Sequence, residues 1–220
     1  MLDWGALGLA FLMVSLIAVS FWIVSVFKKN VSIVDSLWSL MFLVMLGVYV
    51  AQQEVIGARA TVLLGLVSVW AIRLSLFIGT RNHGKPEDHR YQTIRQNNEP
   101  NFHLKSLYIV FGLQAMLAGF ISLPLLAAAS ANTPLGWLDA LGLLLWCIGM
   151  FFEVTGDQQL KSFQSNPASR GKVLDTGLWA YTRHPNYFGE FTLWWGYYCF
   201  ALAAGGWWTI LSPLLMSVLL

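Results

Sequence analysis

The sequence predicts an all-α protein, a polytopic transmembrane helix bundle. Of its 220 residues, 57% are apolar and only 11% are charged, whereas soluble domains average about 45–50% apolar and about 25% charged residues. Eleven Trp, fourteen Phe and seven Tyr add aromatic rings of the kind that concentrate at membrane interfaces. This composition excludes a disordered chain, a nucleic-acid-binding protein that relies on bulk basic charge, and a disulfide-stapled secreted module.

Six stretches have about the 20 mostly apolar residues that a membrane-spanning helix requires. They are residues 4–27, 31–51, 57–80, 104–130, 134–156 and 185–204. A seventh apolar stretch, 206–220, has fifteen residues and would make only about 22 Å of helix. We therefore expect six full spans plus a partial seventh, in a single transmembrane domain, 1–220, that lacks its C-terminal tail.

The basic residues predict the orientation of the bundle. If the spans alternate in direction, eleven of the thirteen Lys and Arg residues fall on one side, at 28–29, 81–105 and 157–184. The opposite loops, at 52–56, 131–133 and 205, carry none. Because cytoplasmic loops are enriched in Lys and Arg, we expect the basic loops in the cytoplasm and the N-terminus outside.

Four ionisable residues lie within the predicted spans, at a similar depth on the expected cytoplasmic side. They are Asp35, Arg73, Glu153 and Glu190. Because charged groups are costly inside a membrane, each is by default a candidate functional residue. Asp35 and Arg73 could form an ion pair. Two interpretations stay open: a water-accessible polar cavity that opens to the cytoplasm, or helix-packing pairs whose side chains reach the interface.

The region 153–190 is the strongest candidate for a ligand site. Its charged and polar residues include Glu153, Asp157, Lys161, Arg170, Lys172, Arg183, His184, Asn186 and Glu190. Pro185 is typical of a first helical turn, and the N-terminus of a helix attracts anions. The basic groups around that N-terminus predict a cytoplasmic site for an anionic, nucleotide-like ligand. The alternative is a basic cytoplasmic loop that binds no ligand.

Three other patterns predict no site. Residues 79–85 spell most of a Walker A motif, but Pro86 replaces the required Ser or Thr, and the stretch follows a membrane helix rather than a strand. The glycine fingerprint of a Rossmann turn is missing from the sequence, so a dinucleotide would have to bind without it. The four His residues lack paired ligand spacing and both Cys residues are isolated, so no metal site is expected.

The stretch 177–190, with Arg-His-Pro-Asn-Tyr at 183–187, resembles the superfamily of steroid 5α-reductases and isoprenylcysteine-type methyltransferases. Stretches 32–38, 70–74, 84–92 and 186–190 look like the bacterial steroid 5α-reductase-like branch, which implies a bacterial inner membrane as the location. The resemblance thus covers roughly residues 30–200. Its reductases are seven-helix membrane proteins that hold NADPH between the bundle and cytoplasmic loops.

The resemblance implies a cofactor-binding portion at about 153–190 together with the loop 81–105. The residues that it places at NADPH are Asp157, Arg170, Arg183, His184, Asn186, Tyr187, Glu190, Arg90 and Tyr91. The reductases' proton-donating Tyr and Glu have no clear match in this chain. By their depth in the membrane, Asp35, Trp38 and Arg73 are the candidate catalytic residues.

We expect an NADPH-dependent reductase of a C=C bond in a lipid-soluble enone, steroid-like or isoprenoid-like. Its partners would be the lipid bilayer and a hydrophobic small molecule, with no nucleic acid; the oligomeric state stays open. One alternative is an S-adenosylmethionine-dependent lipid methyltransferase, whose cofactor has no phosphates to engage Arg170, Lys172 and Arg183. The other alternative is a non-catalytic membrane protein.

Overall fold

The computed structural model describes residues 3–220, and no β-strand occurs in that part of the chain. The predicted all-α architecture is therefore confirmed. The chain divides into two compact units, residues 1–132 and 133–220.

Within residues 3–220, five helices are long and apolar enough to cross a membrane. They are Trp4–Lys28, Ile33–Ala51, Ala58–Asn82, Phe102–Ile121 and Trp137–Ser165. The predicted span 185–204 is helical over Pro185–Ala203 but is not among them, because Asn, Glu, Trp and Tyr side chains lower its hydropathy. Length and composition thus support five of the six predicted full spans. The helix at 185–203 is instead largely buried in protein.

The first unit consists of seven α-helices and one π-helical stretch within the described residues. They are α1 (Trp4–Lys28), α2 (Ile33–Ala51), α3 (Ala58–Asn82), α4 (His89–Asn97), α5 (Phe102–Ser106), the π-helical Leu107–Gly112, α6 (Leu113–Ile121) and α7 (Leu123–Ala129). The predicted span 104–130 breaks at Ser122, because Pro124 has no N–H to continue the hydrogen-bond ladder.

Helix α2 contributes much of the core of the first unit. The buried ring of Phe42 meets the rings of Trp38 and Trp70 at centroid distances of 5.1 and 5.8 Å. Further along α2, the buried Tyr49 hydroxyl shares a 2.7 Å hydrogen bond with the hydroxyl of Ser122. Such aromatic packing and a satisfied buried hydroxyl fix one rotation of the helix. That rotation determines where the polar residues at the start of α2 point.

The second unit is built on two long antiparallel helices, α8 (Trp137–Ser165) and α9 (Pro185–Ala203). Glycines bring their backbones into close contact. A Cβ at Gly149 would lie 2.6 Å from the carbonyl oxygen of Gly189, and a Cβ at Gly142 would lie 2.8 Å from that of Gly196. Small residues allow this close approach in membrane helices. The pair therefore holds the start of α9 firmly against the end of α8.

Helix α8 extends beyond the predicted span 134–156 and ends at Ser165. Its 29 residues make about 43 Å of helix, more than the roughly 30 Å of a bilayer core. The loop 166–184 follows, with short 3₁₀ turns at Pro167–Ser169 and Gly177–Ala180. A 3₁₀ turn at Trp207–Ile210 and the short helix α10 (Leu211–Leu219) occupy the predicted partial span.

Candidate functional site

Asp35, in the first turn of α2, is held by two side chains of α4. The guanidinium of Arg90 donates to Oδ2 over 3.1 Å, and the hydroxyl of Tyr91 donates to Oδ1 over 2.5 Å. The predicted ion pair of Asp35 with Arg73 is wrong, since Arg90 takes that place. The reason is that the segment 83–97 folds back over the start of α2, a path that membrane depth does not reveal.

The other two candidate catalytic residues have different surroundings. The ring of Trp38 meets Phe42 edge-on at 5.1 Å. The guanidinium carbon of Arg73 lies 5.2 Å from the centroid of the Phe77 ring, within the range of a cation–π contact. The structure thus joins one predicted catalytic residue, Asp35, directly to Arg90 and Tyr91, which the resemblance assigned to the cofactor.

A second set of bonds fastens the loop before α4 to the turn between α1 and α2. The backbone N–H of Val31 donates to Glu87 over 2.9 Å, and that of Asp88 donates to the hydroxyl of Ser32 over 2.8 Å. The guanidinium of Arg95 donates two hydrogen bonds, of 2.8 and 2.9 Å, to the Glu87 carboxylate. Sequence reasoning missed these contacts because Glu87 and Arg95 lie outside the apolar stretches.

The Glu87 side chain holds this loop in its ionised form. Burial alone would raise its pKa, but the hydrogen bonds from Arg95 and from the Val31 N–H, together with the Arg95 charge, outweigh burial and lower the pKa. Opposite charges and donated hydrogen bonds favour the ionised form of a carboxyl group. At neutral pH, Glu87 therefore holds the loop in place as a carboxylate.

The Tyr91 hydroxyl has a second partner, Gln114 of α6. The amide nitrogen of Gln114 donates to it over 3.2 Å. Burial, followed by the negative charge of Asp35, raises the pKa of Tyr91, so the phenol keeps its proton. Sequence reasoning did not single out Gln114, although an amide inside the apolar stretch 104–130 was a usable signal.

In the second unit, three predicted cofactor residues lie around the α8–α9 contact. The amide nitrogen of Asn186 donates to Oδ1 of the buried Asp157 over 3.2 Å. The amide oxygen of Asn186 is buried and accepts no hydrogen bond from any residue in 3–220. One turn later, the buried carboxylate of Glu190 accepts a 3.0 Å bond from the indole N–H of Trp194, a partner that the sequence did not indicate.

The loop 166–184 is anchored to α8. The indole N–H of Trp179 donates to the carbonyl oxygen of Gly156 over 3.1 Å, and the backbone N–H of Leu178 donates to the side-chain oxygen of Gln159 over 3.0 Å. Gly177 adopts a positive φ of 62°, which glycine tolerates best. These contacts return the chain to the start of α9.

The basic residues of this loop are available to a ligand. Arg170, Lys172 and Arg183 are exposed, and no ion pair involves them in the part of the chain that the structure describes. His184 is also exposed, and its ring stacks on that of Tyr187 with centroids 5.0 Å apart and planes inclined by 23°. The predicted residues of the second unit thus form an exposed basic loop beside buried carboxylates.

Two relatives match over very different lengths. The chain is 26% identical over 211 residues to an uncharacterized protein of Schizosaccharomyces pombe, with 83% of this chain and 61% of the relative covered. It is 37% identical over 67 residues to a probable O-methyltransferase of Ustilaginoidea virens, with 30% of this chain and 22% of the relative covered. The chain thus spans about three fifths of the yeast relative and about a fifth of the other. No solved structure matches.

A family match covers most of the chain. The family is described as "Protein of unknown function (DUF1295)", and it matches residues 21–220. It falls in the steroid 5α-reductase-like superfamily, so the resemblance noted around residues 177–190 is confirmed at that level. This chain belongs to the DUF1295 family.

Proposed function

We propose that the protein is a membrane-embedded reductase that uses NADPH to reduce a C=C bond in a lipid-soluble enone, steroid-like or isoprenoid-like. One observation carries the proposal. Arg170, Lys172 and Arg183 form an exposed basic loop without ion pairs in the described chain, directly before the N-terminus of α9. Unneutralised cations beside a helix N-terminus suit phosphate groups.

The amide of Asn186 supports the same ligand. Since Asp157 engages its nitrogen, the buried oxygen of Asn186 remains to accept an N–H or O–H from a ligand. NADPH carries such donors on its carboxamide and its ribose hydroxyls. The stacked rings of His184 and Tyr187 add a flat surface on which a base could stack. The residues present therefore fit this cofactor.

Each group in the second unit would have a defined task. The three basic side chains would hold the phosphates, and Asp157 would keep the Asn186 amide turned so that its oxygen accepts. The buried Glu190 is fixed by the indole of Trp194 and would orient the start of α9. Bound NADPH would supply the hydride. The proposal places this end of the unit in the cytoplasm, in keeping with its basic residues.

Reduction of an enone also consumes a proton. Of the candidate catalytic residues, Asp35 is the one hydrogen-bonded to a phenol, at 2.5 Å from Tyr91. We propose Asp35 as the acid, because the hydrogen bond from Tyr91 and the charge of Arg90 would stabilise the carboxylate that remains once its proton passes to the substrate. Trp38 packs edge-on against Phe42, and Arg73 lies over the ring of Phe77; both stay further candidate catalytic residues in this proposal.

A lipid methyltransferase that uses S-adenosylmethionine is the second candidate. It is favoured by the similarity to a protein named as a probable O-methyltransferase and by the Arg-His-Pro-x-Tyr pattern at 183–187, which both branches of the superfamily share. The sulfonium cofactor has no phosphates, and repulsion by Arg170, Lys172 and Arg183 would disfavour its positive charge. The charge of the basic loop therefore favours the reductase over the methyltransferase.

The basic loop can be tested by binding. In purified protein, the combined change Arg170→Ala, Lys172→Ala and Arg183→Ala should raise the Kd for NADPH at least about tenfold, a loss of about 1.4 kcal/mol. The matched control removes Lys28, Lys29 and Lys85, three exposed basic residues of the first unit, and should change the Kd less than about twofold. An equal effect of both triple changes would show nonspecific attraction and would remove the basis of the proposal.

A further inference from the structure

Gln114 places an amide group inside a membrane-spanning helix. It lies in Phe102–Ile121, one of the helices apolar enough to cross a membrane. Its amide nitrogen donates to the Tyr91 hydroxyl. Its amide oxygen is buried and accepts no hydrogen bond from any residue that the structure describes. A polar atom at membrane depth cannot rely on bulk water, so an acceptor in this position calls for a donor.

The neighbouring groups determine which end of the amide points away from Tyr91. The Tyr91 hydroxyl donates its only proton to Oδ1 of Asp35 over 2.5 Å. The phenol oxygen can then only accept from Gln114. The NH₂ end of the amide therefore faces Tyr91, and the oxygen is the end that remains for a ligand.

The backbone just before Gln114 departs from a regular α-helix, and this departure helps to orient the Gln114 side chain. Leu107–Gly112 is π-helical, and the extra residue in such a turn rotates everything that follows, a device frequent at functional sites. Gly112 permits the wide turn, since a Cβ there would lie 3.1 Å from the carbonyl oxygen of Leu107. The wide turn thus contributes to directing Gln114 toward Tyr91.

Apart from its bond to Tyr91, Gln114 lies on a helix whose exposed side chains are mostly apolar. On the same helix, Tyr108, Leu113 and Met116 are 62%, 47% and 64% exposed, as expected for side chains that meet lipid. A ligand here must be soluble in the membrane and must carry a hydrogen-bond donor. An ammonium group would be costly at this depth, so a neutral hydroxyl suits the site best.

We propose that the first unit binds a membrane-soluble alcohol, whose hydroxyl donates to the amide oxygen of Gln114. The donors and acceptors then form one continuous chain, from the alcohol through Gln114 and Tyr91 to Asp35. This site does not depend on the cofactor assigned to the second unit, because every residue that forms it belongs to residues 1–132.

Farnesol and farnesyl methyl ether test the site, because they have the same hydrocarbon chain but only the alcohol can donate a hydrogen bond. Each compound is added to the lipid of nanodiscs that contain the full-length protein. The melting temperature of the protein is then measured as the mole fraction of the compound increases, and its rise gives an apparent Kd. In the wild-type protein the alcohol should bind at least about tenfold more tightly than the ether, the effect of one hydrogen bond. Equal affinities would overturn the proposal, and this comparison needs no variant.

A variant assigns the preference to Gln114. Gln114→Met keeps the length of the side chain without its amide. In this variant the affinities for the alcohol and the ether should differ by no more than about twofold. The control is Gln53→Met, whose amide donates to the carbonyl oxygen of Tyr49 and should leave the tenfold preference intact. A Gln114→Met protein that still prefers the alcohol tenfold would place the donor elsewhere and overturn the assignment.

Discussion

The hydroxyl of Tyr91 donates a 2.5 Å hydrogen bond to Oδ1 of Asp35, which joins α4 to the first turn of α2. The resemblance assigns Tyr91 to the cofactor, whereas its depth in the membrane makes Asp35 a candidate catalytic residue. Their contact ties the segment 83–97 to the first unit, and it brings the residue proposed as an acid next to a phenol that would stabilise its carboxylate.

Removal of the Tyr91 hydroxyl should destabilise the first unit. In Tyr91→Phe, Asp35 and Gln114 both lose a partner, and an unsatisfied buried polar group costs about 1–3 kcal/mol. For a chain of this size we expect a fall in melting temperature of several degrees, at about 2–4 °C per kcal/mol. Tyr108→Phe, at an exposed ring, is the control. Equal melting temperatures for the two variants would mean that the Tyr91 contacts contribute no stability.

Glu87 should make the stability depend on pH. Its folded-state pKa is lowered from the ordinary value of 4.5. A lowered pKa adds stability that is present above the unfolded-state pKa and is lost as the pH falls through the folded-state pKa. Between about pH 6 and about pH 3, melting temperatures should therefore fall more for wild-type protein than for Glu87→Gln. Parallel curves would show that the contacts of Glu87 with Arg95 and Val31 do not favour its ionised form.

The close contact of α8 and α9 should not tolerate a methyl group. In Gly149→Ala the new Cβ would lie 2.6 Å from the carbonyl oxygen of Gly189, and overpacking typically costs about 1–3 kcal/mol. Gly47→Ala is the control, since a Cβ there meets nothing within 4 Å and the helix should gain about 0.5–1 kcal/mol. The melting temperature should fall for the first variant and rise slightly for the second. The reverse order would contradict the close approach.

Two residues of α9 should control the affinity for NADPH. Asn186→Ala removes the buried acceptor, and Glu190→Gln removes the charge that accepts from Trp194. Each should raise the Kd for NADPH about tenfold, the effect of about 1.4 kcal/mol. Asn97→Ala and Glu54→Gln, at exposed positions of the first unit, serve as matched controls. Unchanged affinity in either α9 variant would remove that residue from the cofactor site.

The helical spans could be predicted because the membrane imposes a length and an apolar composition on them. Hydropathy marks only the membrane span 134–156, and α8 continues to Ser165 because residues 157–165 are mostly polar but still favour a helix. The spacing of Glu153, Asp157 and Lys161 was a signal of this extension, since residues four apart share one face of a helix. The close contact with α9 did leave a signal, since Gly142, Gly149 and Gly156 recur at intervals of seven. Such spacing places them on one face of a helix.

The site was harder to predict, because its contacts join segments that are distant in sequence. Asp35 and Tyr91 are 56 residues apart, and α4 has no apolar pattern that would indicate where it docks. Depth in the membrane marked Asp35 as a residue needing a partner, but it suggested Arg73, and the partner in the structure is Arg90. By contrast, Asp157 and Asn186 could be grouped in advance, since both flank one loop between antiparallel helices.

The most direct test of the central claim is a binding titration of purified protein with NADPH, NADH and S-adenosylmethionine. NADPH should bind most tightly, because its extra phosphate would add contacts with the basic loop of Arg170, Lys172 and Arg183. Its affinity should also weaken as the salt concentration rises. Binding of S-adenosylmethionine alone would contradict the reductase and favour the methyltransferase, and binding of none of the three would favour a non-catalytic membrane protein.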